Sequence, residues 1–532
     1  MKKNERVFGI CQGYTSEGLG VVKVDGYPLF VKGMLKGESG DLLVMKANKN
    51  YGFARLMELK QRSKERVEPL CPLYKQCGGC QLQHLSRKEQ LAFKQQKVVD
   101  VMQRIAKVDV KVEDVMGMEE PWYYRNKGQV PFGVVDERVI CGFYKLHSNE
   151  IIDMNECRIQ SHLINEVVQM MKRVAEKYDF GDVIRHVLVK HAFASDEVML
   201  VLIVRDFVPF QQCDWLDDVV KMPQIKTIVL NLNQRQDNVI LGDEELVVYG
   251  DGLIVDELDG LRFMISSKSF YQVNPVQTVT LYQQALKMAS LSGEETVIDL
   301  YCGIGTISLF MAKQAKSVIG IEIVDEAIED AKRNALLNGV KNVEFVCSDA
   351  GRFATQLAQE GRKVDVVCVD PPRKGCDDAT IQAIVTMEPK RVVYVSCDPA
   401  TLARDVAKFE ELGYKCEKVQ PVDMFPNTVH VETVVQLVRK KPDTYIDITV
   451  DMDELDLTSS EAKATYDEIK DYVFAGFGLK VSSLNIAQVK TKCGIIEREN
   501  YNKQKSENVK QPQCTKDKEE AIMSALRHFK MI

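Results

Sequence analysis

No apolar run in the 532-residue chain approaches the roughly 20 residues needed to cross a bilayer. The N-terminus, MKKNERVFGI, lacks the apolar core of a signal peptide. A membrane partner and export are therefore not expected. A disulfide-type ladder is also missing: the 15 cysteines are scattered, most of them in strand-like or helix-like segments. That suits a reducing cytoplasm, with some thiols reserved for metal or catalysis. The chain has no excess of positive charge either, at a net −7, which by itself argues against a polyanionic partner. The distribution weakens that argument. Residues 1–100 hold 18 Lys/Arg against 10 Asp/Glu, a balance of +8, so the other 432 residues carry −15. A nucleic-acid footprint and an ordinary solvated face fit that basic end equally.

Residues 1–60 read as a small all-β unit. GLGVVKVDGYPLFVKGML has short β-rich runs broken at Gly20, Gly26 and Gly33, and more strands follow through Leu59. About five short strands in under 60 residues predict a barrel of the oligonucleotide-binding kind, which would serve RNA binding or act as a structural cap. Residues 61–265 read as a mixed α+β central domain. A helix is expected over 86–106, where Leu91, Val98, Met102 and Ile105 form one apolar stripe. Strands are expected at 139–145, 184–191, 197–205 and 226–232. PWYYRNKGQVPF (121–132) sets Trp122, Tyr123 and Tyr124 beside Arg125 and Lys127. Aromatics that stack on bases and cations that hold phosphates fit it, and so does a β-strand with outward charges.

Residues 266–440 read as one domain, in which strands and helices alternate regularly from 295 to 440. TVIDLYC, SVIGIEI, NVEFVCS, VDVVCVD and RVVYVSC are the strands, most separated by helix-length segments such as 325–338. This predicts an α/β, Rossmann-like domain with a parallel sheet, ended by TVHVETVVQLVRK as a strand that can pair antiparallel. Residues 441–532 read as an acidic linker (443–461), then helices at 459–474 and 517–530 around a polar segment near 500–515, with no role assigned.

DLYCGIGTISL (299–309) ends the first of those strands in a glycine turn and opens a helix. Gly303 and Gly305 allow close approach of backbone to a ligand. The third glycine of the dinucleotide fingerprint is missing, since the turn continues with Thr306. Glu322 ends the next strand, Asp349 follows the third and Asp370 the fourth. Acids after successive strands, with no phosphate cradle, suit an adenosine ligand without pyrophosphate. S-adenosylmethionine fits, and a nucleotide is the alternative.

YVSCDPATLARD (394–405) then places a lone thiol, Cys397, after the fifth strand and ahead of a helix N-terminus that would favour thiolate. HVETV (430–434) puts Glu432 in an otherwise apolar strand, either buried for a purpose or facing solvent from a sheet edge. A thiol, a carboxylate and a methyl donor suggest one reaction. Carbon 5 of uracil attacks a sulfonium methyl only after a thiolate adds at carbon 6, and a base must then remove the carbon 5 proton. Cys397 is the candidate nucleophile and Glu432 the candidate base.

FYQVNP (270–275), DLYCGIGT, DPPRKG (370–375), VSCDPATLARD and HVET together resemble the RNA uracil-5-methyltransferases. The five motifs stand in the family's order over about 265–440, with weaker resemblance back to residue 4. The resemblance implies that Gln272, Tyr301, Glu322 and Asp370 contact S-adenosylmethionine and that the barrel is a TRAM domain. Two positions depart: Asp398 and Thr306 stand where many or some members have Asn.

CPLYKQCGGC (71–80) supplies Cys71, Cys77 and Cys80, and Cys157 lies in DMNECRIQ. Four thiolates suit zinc or an iron–sulfur cluster, and spacing does not separate them. The resemblance implies a 4Fe–4S cluster, because ribosomal-RNA members carry one at this pattern and transfer-RNA members lack it. The expectation is a monomeric 23S rRNA (uracil-5-)-methyltransferase with no DNA partner. Its alternatives are 5-methyluridine formation in the transfer-RNA T-loop and a non-catalytic RNA-binding assembly factor.

Overall fold

The computed structural model describes residues 1–211, 214–440, 465–493, 514–529 and 531–532. The chain divides into two compact units after Asp443. The acidic stretch 443–461, the beginning of the helix expected from 459, and residues 500–513 of the polar segment lie outside the described residues.

The first unit begins with five strands: β1 (Arg6–Tyr14), β2 (Gly20–Val24), β3 (Tyr27–Val31), β4 (Ser39–Ala47) and β5 (Gly52–Gln61). They close into a barrel in the order β1-β2-β3-β5-β4. Alternation turns Cys11, Val22, Leu29, Val31, Leu42 and Val44 inward, and closure removes the free edges a small sheet would otherwise expose.

Helix α1 (Arg87–Val101) is capped by the Ser86 side chain and runs into a π-helical turn, Met102–Ala106. The apolar stripe read from the sequence holds at Val98 and Met102, which are buried, and fails at Ile105, which is 41% exposed. The wider π turn fits an extra residue into the repeat, so Ala106 takes the inward position.

Strands β6 (Lys127–Val135), β7 (Arg138–Cys141), β8 (Ile184–Ala192), β9 (Glu197–Val204), β10 (Ile225–Leu232) and β11 (Glu244–Tyr249) form the central sheet, ordered β11-β10-β9-β8-β6-β7. Helix α2 (His162–Lys177) covers it with Ile164, Val167, Val168, Met171 and Val174, each side chain worth about 1.5–3 kcal/mol of burial. Two short helices, α3 (Val208–Gln211) and α4 (Trp215–Val219), add Phe210 and Trp215 to the same core. A hairpin, β12 (Ile254–Leu258) and β13 (Leu261–Ile265), follows.

After α5 (Pro275–Ala289) comes the alternating region: β14 (Thr296–Leu300), α6 (Thr306–Ala312), β15 (Ser317–Glu322), α7 (Asp325–Leu337), β16 (Val343–Cys347), α8 (Ala350–Gln359) and β17 (Val366–Val369). It continues with α9 (Asp378–Thr386), β18 (Arg391–Ser396), α10 (Pro399–Glu411), β19 (Tyr414–Val422) and β20 (Glu432–Arg439). The seven strands lie in the order β16-β15-β14-β17-β18-β20-β19. Strands β14 to β18 pair parallel, and their inner members are mostly apolar, with Asp299 inside β14, because helices cover both faces. The last two pair antiparallel. The fold is the α/β class with an N-terminal barrel, as the sequence pattern predicts. Strand β19 escaped that pattern, since Lys415, Glu417 and Lys418 interrupt its apolar positions along a sheet edge.

The second unit holds α11 (Tyr466–Phe477), α12 (Ser483–Lys492) and α13 (Lys516–His528), packed through Ile469, Val473, Ile486, Val489, Ile522 and Leu526.

Candidate active site and cysteine cavity

The strand order of the large sheet reverses between β14 and β17, so a crevice opens above the carboxyl ends of these strands. Asp370 follows β17, and Cys397 follows β18. Because β20 runs antiparallel, its first residue, Glu432, stands at the same end of the sheet. The β18–β20 register pairs Ser396 with Thr433, the residues next to Cys397 and Glu432, and the Glu432 carboxyl acts electrostatically on the Cys397 thiol. Strand β20 lies between β18 and β19 and Glu432 is 4% exposed, which rules out the solvent-facing edge reading.

Burial, then the Asp370 charge, push the Glu432 carboxyl up to about 8, with Arg373 opposing. Burial alone pushes Asp370 up to about 7. The Cys397 thiol is half-buried and pushed up to about 11 by burial and by the charges of Glu432 and Asp370, again opposed by Arg373. The helix N-terminus expected to favour thiolate is already occupied. Asp398 caps α10, its carboxylate accepting from the Ala400 and Thr401 amides at 2.9 and 3.1 Å, and Pro399 has no N–H to offer.

Along the cofactor side of the crevice, Tyr301 holds φ +68, a conformation a bulky residue adopts only under constraint. Gly303 and Gly305 turn with φ +55 and +83, and a Cβ on Gly305 would meet the Phe345 ring at 2.8 Å. Glu322 accepts from the Gly303 amide at 3.2 Å and from Ile323 and Val324 at 2.8 and 3.1 Å. The Thr306 hydroxyl lies 3.2 Å from that of Tyr282, and Gln272 is buried, its carbonyl accepting from Asn126 at 3.0 Å. Asp349 is exposed and serves as the α8 cap, accepting from Arg352 N at 3.0 Å.

Cys71, Cys77, Cys80 and Cys157 all line one cavity of about 290 Å³. Cys80 is within electrostatic reach of the other three. Among the described residues no three His, Cys, Asp or Glu side chains converge closely enough to hold a single ion. Arg125 and Lys127 line the same cavity, and neither forms a salt bridge among the described residues. The aromatic side chains beside them are engaged inside the protein. Tyr124 is buried and donates to the Pro426 carbonyl at 3.0 Å, and Tyr123 stacks on His162 at 3.7 Å.

Sequence reading missed three buried acids around the crevice. Asp299, inside β14, is fully buried; its Oδ2 accepts from Ser308 at 2.5 Å and its Oδ1 has no partner among the described residues. Asp405 on α10 is buried and accepts from Cys376 N at 2.9 Å and Tyr394 at 2.7 Å, which pins the loop carrying Arg373. Asp423, after β19, pairs with Lys94 and Arg87. The signal that singled out Glu432, a charge inside an apolar run, was present at Asp299 and Asp423 as well.

The sequence model of the tRNA (Uracil-5-)-methyltransferase family matches residues 86–440. An uncharacterized RNA methyltransferase of Bacillus cereus is 48% identical over 449 residues, covering 82% of this chain and 98% of that one. One of Listeria innocua is 47% identical over 450 residues, covering 83% and 99%. The crystal structure of the Pyrococcus abyssi tRNA (uracil-54, C5)-methyltransferase in complex with S-adenosyl-L-homocysteine superposes with a TM-score of 0.64 at 26% identity, covering 81% of this chain and 99% of that one. On the family match and these relatives, the chain belongs to the tRNA (uracil-5-)-methyltransferase family.

Proposed function

We propose that the protein methylates carbon 5 of a uridine in 23S ribosomal RNA with S-adenosylmethionine, by covalent catalysis at Cys397 and proton removal at Glu432. The observation that carries the reading is the strand register that brings this thiol and this buried carboxyl together beside Asp370. Cys397 Sγ bonds to carbon 6, and the ring electrons move onto carbon 5. When bound, S-adenosylmethionine supplies an electrophilic methyl group, and S-adenosylhomocysteine leaves. Glu432 takes the carbon 5 proton, the ring double bond re-forms, and the carbon–sulfur bond breaks to return the thiolate. Tyr301, Gly303, Gly305, Thr306, Glu322, Asp349, Asp370 and Gln272 form the cofactor's wall, where backbone turns and acids suit an adenosine rather than a pyrophosphate. The target uridine has to be turned out of its stack to reach Cys397.

Cys71, Cys77, Cys80 and Cys157 are proposed to hold a 4Fe–4S cluster. The four line one cavity with Arg125 and Lys127, two cations that would offset the negative charge of four thiolates. The cluster would tie residues 71–80 to 157 as a structural brace, and no methylation step passes through it. Residues 1–60 are proposed as a TRAM-type RNA-binding barrel, 61–265 as the cluster-bearing central domain and 266–440 as the methyltransferase domain of a cytoplasmic monomer. By the resemblance set out above, the four cysteines favour ribosomal RNA. The family description and the Pyrococcus abyssi enzyme favour transfer RNA as the second reading.

The test is to incubate ribosomal and transfer RNA separately with methyl-labelled cofactor and wild-type, Cys397→Ala or Glu432→Gln protein, then run denaturing gels. Wild type should label ribosomal RNA only, Cys397→Ala should label nothing, and Glu432→Gln should leave label in a protein–RNA band. Labelling of transfer RNA alone would overturn the ribosomal assignment. Wild-type turnover by Cys397→Ala would overturn the covalent mechanism, and no labelling by wild type would leave an RNA-binding assembly factor.

A further inference from the structure

Arg87, Gln90, Lys94 and Lys97 recur at helical spacing along one face of α1, and each bonds to the segment that leads into Glu432. Arg87 and Lys94 pair with the two carboxylate oxygens of Asp423. Lys94 also donates to the Phe425 carbonyl at 2.9 Å, and Lys97 to the Val429 carbonyl at 3.0 Å. Gln90 exchanges two bonds with Asn427: its Nε2 donates to Oδ1 at 3.2 Å and its Oε1 accepts from the Asn427 amide at 3.0 Å.

Asn427 is the point where these restraints meet. It is 2% exposed and holds φ +68, a region asparagine enters more readily than most side chains. Its Nδ2 donates to the Pro121 carbonyl at 3.0 Å. Its own carbonyl accepts from the Gln81 and Leu82 amides at 3.1 and 3.0 Å, and Gln81 directly follows Cys80. Three separate segments of the first unit therefore close on one residue, five positions before Glu432. A buried connection must satisfy its backbone internally. This one does so partly within itself, through Thr428 N to the Phe425 carbonyl, and at Asn427 with partners from outside the hairpin it joins, which set its shape there.

We propose that Asn427 is a positioning residue for Glu432: its left-handed backbone, locked by Gln90 and by the Gln81–Leu82 amides, sets where β20 begins and thus where the carboxyl stands over the crevice. This rests on Glu432 being the base. Cys397 is held by β18 and Asp398 instead, so loosening Asn427 slows proton removal while sparing addition and methyl transfer.

The experiment uses the full chain, unlabelled RNA substrate and methyl-labelled cofactor in single turnover, with the denaturation-resistant protein–RNA adduct and the released labelled RNA followed in time. Asn427→Ala removes the side-chain bonds and strains the left-handed backbone, and should lengthen the adduct's lifetime on the order of tenfold, with methyl transfer within about threefold of wild type. Asn427→Gly keeps the backbone conformation and the carbonyl, folds without strain, and should return most of the wild-type lifetime. Glu432→Gln is the limit, with an adduct that does not decay. An unchanged lifetime in Asn427→Ala, or transfer and decay slowing equally in both Asn427 variants, would overturn the positioning role while the Glu432→Gln adduct stands. Failure of Glu432→Gln to trap an adduct would overturn the base assignment and this inference with it.

Discussion

The crevice and the cysteine cavity both hold thiols that burial pushes up, to about 11 at Cys397 and Cys157 and about 12 at Cys80, but beside different charged side chains. Cys397 faces Glu432 and Asp370, with Arg373 as the opposing charge, and its thiol is pushed up to about 11. Cys71, Cys77, Cys80 and Cys157 share their cavity with Arg125 and Lys127. A pocket whose acids suppress a thiolate selects a cationic visitor, because a positive charge relieves every group at once. A pocket that adds unpaired cations to four thiols selects an anionic one. The contrast teaches that the neighbouring charges, more than the thiol itself, would separate the proposed nucleophile from the proposed cluster ligands.

The strongest way to break this comparison is to ask whether the cavity takes up iron. Anaerobically purified protein should be brown and carry about four irons, the content of one cubane cluster. Cys80→Ser should lose nearly all of it, while Cys397→Ala should keep it. Stoichiometric zinc without iron in the wild-type protein would refute the cluster, and with it the anionic half of the contrast.

A smaller effect sharpens the other half. Iodoacetamide alkylation of Cys397, read by mass spectrometry across pH, should show a midpoint well above neutrality without ligand, as burial and the two carboxyls dictate. S-adenosylmethionine, whose sulfonium is cationic, should lower that midpoint by about one unit or more, and neutral S-adenosylhomocysteine by less. Equal midpoints with both ligands would mean that charge does not prepare the thiol.

Much of this was legible in the sequence, for physical reasons that can be located. Strands β14, β15, β17 and β18 are buried on both faces, so apolar letters dominate them, Asp299 in β14 being the interior exception, and the acids at their ends stand out. What was not legible depends on partners far along the chain. Gln90 and Lys94 lie off the apolar stripe read on α1 and carry polar side chains, yet both are buried because Asn427 and Asp423, more than 300 positions away, receive them. Ile105 was misassigned because one π turn shifts the helical phase, which no periodicity can anticipate. Arg125 and Lys127 were read as phosphate contacts or as outward charges on a strand, and their place on the wall of the cysteine cavity depends on tertiary structure that neither reading contains.

The smallest predicted effect concerns what the crevice costs the fold. Glu432 has its ordinary carboxyl affinity of 4.5 when unfolded and about 8 when folded, so between those values the folded state binds the extra proton. Stability from this group is therefore fully present below pH 4.5 and is lost as pH rises through about 8. Glu432→Gln cannot ionise and escapes that loss. Its melting temperature should match wild type near pH 5 and exceed it by a few degrees near pH 9, the shift expected for about 1–2 kcal/mol in a chain of this size. Thermal melts of both proteins across that range decide it. A variant equally or less stable than wild type at pH 9 would mean that the carboxylate is already solvated or paired when ionised, and that the crevice does not hold its base in the strained, neutral state from which a cationic ligand would release it.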